Sequence, residues 1–435
     1  MKIRFFGAAS EVGRSCIMVE GGNAKILLDA GVKLGEQEQY PVLDDSELRD
    51  VDAIVLSHAH LDHSGYIPHI FSTGWEGYVY STKPTFELTN VLINDYMHIS
   101  NPKNVSKEGL QKMQKHFKFA EYHSEFKING LTLKLLPAGH ILGSAMVHVS
   151  DGKESLLYTG DINLRSTKLL PGAYTERLNA ETLITESTYG GNTDIFPSEH
   201  NVISDFVLSI KDTIKQGGKI IVPSFAVGRA QEVLFIIDDS MRSGIIPKVP
   251  IYIDGMINRA MRIHRHNVIY CREELQKRIL MSEEDPFKSE NFHEVTRQTR
   301  SKVIKADEAS IIVTTSGMLT GGPVIRYLKQ VAGKSEYKML LVGYQAEGTM
   351  GRSLQDGSKE ITIEGKKLEV KMKVETYHLS AHADRQQLLR LIGKVNGLRN
   401  VFIVHGEPRK GKELYESIKH KYSVAMPKLN EEFDV

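Results

Sequence analysis

The run LSHAHLDHSG, Leu56 to Gly65, directly follows the apolar stretch VDAIVL and places His58, His60, Asp62 and His63 within six positions. An apolar stretch of that length fits a buried strand, so the ligating side chains sit where the strand leaves the core. His58 and His60, two residues apart on extended backbone, point the same way and can share one metal ion. Asp62 and His63, displaced along the turn, face a second ion. A histidine-rich surface loop, or a set of caps for a following helix, is the plain alternative, and a stray pair among 17 histidines would mean little. Four ligating residues at this spacing, placed at a strand end, argue against it.

Other runs end in the same way. KIRFFG, SCIMVEGG, AKILLDAG and DAIVLSHAH read as a meander of strands broken by glycine turns, with a helix over GYIPHIFSTG after the histidines. TLKLLPAGH, AMVHVSDG and ESLLYTGD follow as further strands. Asp29 closes the AKILL run, His140 closes TLKLLPAG and Asp161 closes SLLYTG. Taken singly, His140 is a hydrogen-bonded turn residue and Asp161 a helix cap. Taken together they show an α/β scaffold gathering an active site on loops held by a rigid core. From Glu199 the texture becomes alternating helices and apolar strands, the pattern of βαβ units over a parallel sheet. At EITIEGKKLEVKMKVETYHL, Ile361, Ile363, Leu368, Val370, Met372 and Val374 alternate about the EGKK turn like an antiparallel hairpin. A helix, the strand VFIVHG and a last helix follow. The change out and back predicts an α/β domain inserted into another, with 1–190 and 359–435 forming the host and 191–358 the insert.

Composition narrows the classes. The 435 residues allow two or three domains' worth of core, and 41% hydrophobic with 25% charged residues is the balance of an ordinary globular protein. Lys+Arg 55 against Asp+Glu 54 leaves a net charge of +1, so contact with a polyanion must come from a local groove. No apolar run approaches the roughly 18 residues that span a bilayer, which excludes a membrane partner of that kind. MKIRFFGAASEVG reads as a first strand rather than a secretory signal, making a cytoplasmic protein the default. Cys16 and Cys271, far apart, read as free thiols.

Asp29 in LLDAG, the HxHxDH cluster, His140 and Asp161 stand in an order and spacing that resembles the metallo-β-lactamase superfamily. The resemblance implies an αββα sandwich in which His58, His60 and His140 hold a first metal, Asp62 and His63 begin a second, Asp161 bridges both and Asp29 orients a ligand histidine. Imidazole and carboxylate ligands suit two zinc ions, and manganese or iron satisfies the same set. The superfamily spans lactonases, glyoxalases, β-lactamases and nucleases, so this core leaves the substrate open. TESTYG, SFAVGRAQE, TTSGMLTGGP, GYQAEGTMGRSL, HLSAHADR and VHGEP resemble its β-CASP branch of nucleic-acid-processing nucleases. That resemblance makes Glu186, His382 and His405 the acidic and histidine landmarks of the branch. His405, at the end of VFIV, would complete the second metal site.

The implied activity is hydrolysis of phosphodiester bonds in single-stranded RNA, during RNA processing or decay. The catalytic set is Glu186 and His382 with Asp62 of the motif, and His382, held by Glu186, protonates the leaving ribose oxygen. Phosphate contacts are expected from Ser316, Gly317 and Met318, whose turn ends a strand ahead of a helix, and from Arg352, Ser380 and His382. Arg229 is a weaker candidate. His378 lies on a strand running into a loop and reads as peripheral; His264 and His266 read as surface histidines. With its first motif close to Met1 and its last close to Val435, the chain resembles the compact archaeal RNase J and stand-alone bacterial β-CASP ribonucleases. These imply a homodimer and 5′-to-3′ exonuclease action that leaves 5′-phosphate nucleotides. The alternatives are an endoribonuclease of the 3′-end-processing type, a small-molecule metallo-hydrolase, and a non-catalytic RNA-binding scaffold.

Overall fold

In the computed structural model, which describes residues 1–35, 37–100, 102, 105–282 and 284–435, contacts divide the chain into two units. The first comprises Met1–Ser166, Pro171–Ile195 and His382–Val435; the second comprises Thr167–Leu170 and Phe196–Ala381.

Two seven-stranded sheets build the first unit. One runs, in spatial order, Glu432–Asp434, Lys2–Phe5, Ile17–Gly21, Ala24–Leu28, Ala53–Val55, Tyr78–Ser81 and Phe117–Phe119. The other runs Ser423–Ala425, Asn400–Val404, Thr182–Glu186, Ser155–Tyr158, Ala145–Ser150, Leu131–Pro137 and Glu125–Ile128. Side chains alternate across each strand, and this sorts the core into layers. Ile26 and Leu28 turn inward with Ile3, Phe5, Leu133, Leu135, Val147 and Phe402, forming the layer between the sheets. Leu27, Ile54 and Val79 turn outward to meet Ile67, Ile70, Ile93 and Tyr96 of the helices on that side. On the far face Leu157, Leu183 and Val401 meet Leu388, Leu391 and Leu414. The layering is the αββα sandwich expected from the sequence.

Strand direction decides where the loops go. Ala24–Leu28 and Ala53–Val55 pair in parallel, so Asp29 and the histidine motif leave their sheet at one edge. In the second sheet Ser155–Tyr158, Thr182–Glu186 and Asn400–Val404 are parallel neighbours. Leu131–Pro137 points the same way, being antiparallel to the strand that is antiparallel to Ser155–Tyr158. His140, Asp161, Glu186 and His405 therefore all emerge at one edge of that sheet.

The second unit holds a six-stranded parallel sheet in the order Phe292–Val295, Ile251–Asp254, Ser310–Thr314, Lys219–Pro223, Tyr337–Leu341 and Lys373–Thr376. Helices including Arg229–Arg242 and Pro323–Val331 alternate with its strands. The return to the first unit comes at His382, not at residue 359. The EGKK hairpin forms, Glu360–Ile363 against Lys366–Glu369, but Lys373–Thr376 leaves it and pairs in parallel with Tyr337–Leu341. Alternation continuing past Glu369 concealed that change of partner, because a strand's pattern reports its two faces and not its neighbour. The outward crossing likewise falls at Phe196 rather than 191. Among the described residues no helix is long and apolar enough to cross a membrane.

Phe5 is fully buried in the inter-sheet layer, with its ring 5.5 Å from that of Phe402 and 6.0 Å from that of Phe433. Phe5→Ala should destabilise the first unit by about 3–5 kcal/mol. A denaturant titration showing a loss below about 1 kcal/mol would contradict this packing.

Candidate metal centre

The turn after Ala53–Val55 ends in a single-turn helix, Leu61–Ser64, with His60 at its N-cap. That bend turns His58 and His60 one way and Asp62 and His63 another. Three sets of ligating atoms result, each set within 4.8 Å: His58, His60, His140 and Asp161; Asp62, His63, Asp161 and His405; and Asp161, Glu186 and His382. Asp161 belongs to all three. Its Oδ2 lies 3.6 Å from His58 Nε2 and 3.7 Å from His140 Nε2. Its Oδ1 lies 3.4 Å from His63 Nε2 and 3.2 Å from His405 Nδ1. Asp62 approaches His405 Nε2 at 3.3 Å. One carboxylate thus divides its two oxygens between two groups of imidazoles.

The residues fit a pair of divalent cations. His58 Nε2, His63 Nε2, His405 Nε2 and Asp161 Oδ1 are buried without a hydrogen-bond partner among the described residues. Buried polar atoms rarely stay so unless something else satisfies them. Burial, and then the neighbouring His63, hold His58 well below the usual imidazole range, so its ring is neutral and competent to ligate. For His63, burial pulls downward, but Asp161 and Asp29 outweigh it and raise the ring well above that range. Burial would raise Asp161, yet His405 and His63 hold it well below the normal carboxylate range. The carboxylates draw positive charge into the cluster, and a cation coordinated by these atoms would supply it. Nitrogen and oxygen ligands without thiolate suit zinc, and do not by themselves choose it over manganese.

A second ring of contacts orients the ligands. Asp29 accepts four hydrogen bonds: from His63 Nδ1 at 2.6 Å and from the Ser57 amide, the Ser57 hydroxyl and the Tyr158 hydroxyl at 2.7 Å each. The His63 contact leaves Nε2 facing the cluster. Ser57 Oγ also lies 3.1 Å from His58 Nδ1. Sequence reasoning did not single out Ser57 or Tyr158. Ser57 precedes His58 within the motif and could have been noticed; nothing in LLYTGD marks Tyr158. Close packing supports the turn too, since a Cβ at Gly31 would lie 1.7 Å from the Asp62 carbonyl oxygen.

Beside the cluster, His382 Nδ1 lies 3.0 Å from both oxygens of Glu186. Glu186 Oε1 also accepts from the amide of Ile162, next to Asp161, at 2.8 Å. Burial would lower the His382 pKa, but the Glu186 carboxylate, and then Asp161, raise it to about 9.

The remaining candidates lie in the second unit. Ser316, Gly317 and Met318 follow Ser310–Thr314, but the next helix begins at Pro323 with Gly322 as its cap. These three are therefore a turn and not a helix N-terminus. The Ser316 hydroxyl closes that turn by accepting from the amides of Thr320 and Gly321. No described residue accepts from the amides of Gly317 or Met318. Arg352, in the helix Met350–Gln355, bonds Asp356 at 2.9 Å, and Ser380 is partly buried in the loop after Lys373–Thr376. Arg229 opens its helix and is buried. His264 is not a surface residue: it faces inward from Ile257–His266, bonds the Ala260 carbonyl at 2.7 Å, and burial lowers its pKa to about 4. The helical period put His264 on the buried face and left His266 exposed.

Comparison with known proteins gives matches along most of the chain. The metallo-β-lactamase superfamily model matches residues 9–212, the Beta-Casp domain model residues 230–354, and the model of the Zn-dependent metallo-hydrolase RNA specificity domain residues 367–427. The chain is 38% identical to the transcription termination factor FttA of Methanothermobacter thermautotrophicus, over 97% of this chain and 70% of that protein. It is 36% identical to FttA of Methanocaldococcus jannaschii, over 97% and 69%, and 37% identical to FttA of Pyrococcus abyssi, over 98% and 69%. A crystal structure of a protein of unknown function from Enterococcus faecalis V583 superposes with a TM-score of 0.59 at 13% identity, covering 99% of both chains, a likeness of fold alone.

Asp29→Ala should weaken divalent-ion binding about 10- to 100-fold, while Tyr158→Phe, which removes one donor of four, costs less. Ion content measured by mass spectrometry after dialysis at fixed free zinc checks both. Equal content in the Asp29 variant and the parent would rule out the orienting role.

Proposed function

Because the chain belongs to the β-CASP branch of the metallo-β-lactamase superfamily, we propose that it is a zinc-dependent ribonuclease, a 5′-to-3′ exonuclease on single-stranded RNA that leaves 5′-phosphate nucleotides. The observation that carries this reading is the His382–Glu186 pair set against a carboxylate shared by two ligand groups. A lactonase or glyoxalase needs the ligand groups but not a second, carboxylate-held imidazole beside them. The match to an RNA specificity domain and the relatives' name, transcription termination factor, support RNA as the substrate.

His58, His60 and His140 with Asp161 would hold one ion, and Asp62, His63 and His405 with Asp161 the other. Such ions supply Lewis-acid charge to phosphoryl oxygens and acidify water toward neutral pH. The chain's own groups do the rest. Glu186 fixes the ring of His382 through Nδ1, which leaves Nε2 to donate a proton. With its pKa raised to about 9, His382 is protonated at neutral pH and serves as the acid for the leaving ribose oxygen. The amides of Gly317 and Met318, with Ser316, Arg352 and Ser380, are the proposed phosphate contacts. Homodimerisation, on the family resemblance alone, and action in the cytoplasm, on the reading of the N-terminal stretch as a first strand, complete the proposal.

The relatives' name favours a second reading: a factor that ends transcription meets RNA still being made, and an internal cut releases it. RNA labelled at the 5′ or the 3′ end separates the two. Mononucleotide released from the 5′ end supports the exonuclease, and discrete internal products from both labels support the endonuclease. Cleavage that persists in excess chelator would defeat both.

His382→Ala should lower turnover about 10²- to 10⁴-fold with ion content unchanged. Unchanged turnover with full ion content would remove His382 from the acid's role.

A further inference from the structure

The segment Gly7–Ser15, sequence GAASEVGRS, joins the strands Lys2–Phe5 and Ile17–Gly21 and grips one ligand group from both ends. The Ala8 carbonyl accepts from the amide of His405 at 2.8 Å, and the Glu11 carbonyl from the amide of Gly406 at 3.1 Å. At the other end the Ser15 amide donates to the Asp62 carbonyl at 2.8 Å, and the Ser15 carbonyl accepts from Gly31 at 2.9 Å. Asp62 and His405 belong to one group of candidate ligands. The other group makes no hydrogen bond to this loop among the described residues: His58 Nδ1 lies beside the Ser57 hydroxyl, which also bonds the Asp29 that holds His63, and the His140 amide donates to the Ser144 hydroxyl.

This loop is not one the chain adopts readily. Ala8, Ser10 and Arg14 have φ of 55°, 56° and 42°, in the left-handed region that non-glycine residues avoid, so something must hold them there. Beside the backbone bonds above, the Glu11 side chain ties down the Arg14 end of the loop. Oε1 accepts from Arg14 Nε at 2.6 Å and Oε2 from Lys33 Nζ at 2.8 Å, while Arg14 also donates to the Tyr40 carbonyl at 2.9 Å. Glu11 and Arg14 are only 13% and 12% exposed, so water screens this pair less than an ordinary surface ion pair.

We propose that Glu11 is a positioning residue for the second ion site: by tying Arg14 and Lys33 it locks the loop that sets Asp62 and His405, and so tunes that site's affinity separately from the site of His58, His60 and His140. The inference rests on the two-ion reading of the cluster and not on the identity of the substrate.

Zinc titration of the full chain, stripped with chelator and followed by a competing chromophoric chelator, tests it. The parent should bind two ions. In Glu11→Gln the first step should stay within about twofold of the parent while the second weakens about 10- to 100-fold, the range for lost outer contacts. Glu11→Asp, which keeps the charge, should recover part of the loss, and Lys33→Met, which removes one tie of two, should show a smaller loss. The ion-free Glu11→Gln chain should melt with the parent. Equal weakening of both steps, no change in either, or a fall in the ion-free melting temperature with no step-specific loss would overturn the inference. A parent that binds fewer than two ions overturns it together with the metal reading. A parent that binds two ions but cleaves no RNA defeats only the proposed function.

Discussion

Asp161 is a carboxylate with 2% of its surface exposed, and no buried anion is stable without opposite charge or donors around it. Here the surroundings are imidazoles, with His58 and His140 on one oxygen and His63 and His405 on the other. Imidazoles that point bare nitrogens at a carboxylate do not stabilise it unless positive charge enters, as the proton that His63 draws with its raised pKa or as a metal ion. The arrangement is stable only with positive charge inside it, and divalent cations satisfy imidazole and carboxylate together. Much of the first unit follows from that need. Ligands arriving from both sheets require aligned strand ends, and strand ends align only when the strands that carry them run the same way.

Holding the ligands costs backbone strain at a few points. Asp29 and His405, each directly after a strand, have φ of 62° and 47°. Such conformations persist where surrounding contacts over-determine them. Asp29 has its four donors, and His405 is held through its amide by Ala8, itself left-handed. Orientation of the candidate ligands is therefore carried by residues outside the ligand set, from Ser57 and Tyr158 to the backbone of the Gly7–Ser15 loop. Their side chains are ordinary in type, which is why the sequence does not advertise them.

The second unit obeys a different rule. Its central strands are buried on both faces and read as continuous apolar runs, KIIVP and SIIVT, the mark of a parallel sheet covered by helices. That made its class legible but not its edge. Lys373–Thr376 alternates like the hairpin before it, yet hydrogen bonds to Tyr337–Leu341, and so belongs to the insert. Hydrophobic period says which face of a strand is buried, and register with a distant strand is decided by the assembled sheet.

The sequence by itself determined the chemistry. Ligating residue types at strand ends, in the order Asp29, His58 to His63, His140, Asp161 and His405, are a local property, because each lies where an apolar run stops. It also determined the nesting of one α/β unit in another, because strand and helix periods differ. Only the tertiary structure decided that Tyr158 and Ser57 steady Asp29 and that His264 is buried; that one carboxylate divides its oxygens between two imidazole groups and that Glu186 meets His382 were expected from the family resemblance and are seen as contacts only in the folded chain. These are contacts between segments far apart in the chain, and no local pattern encodes the distance between two side chains until the sheets that carry them have formed.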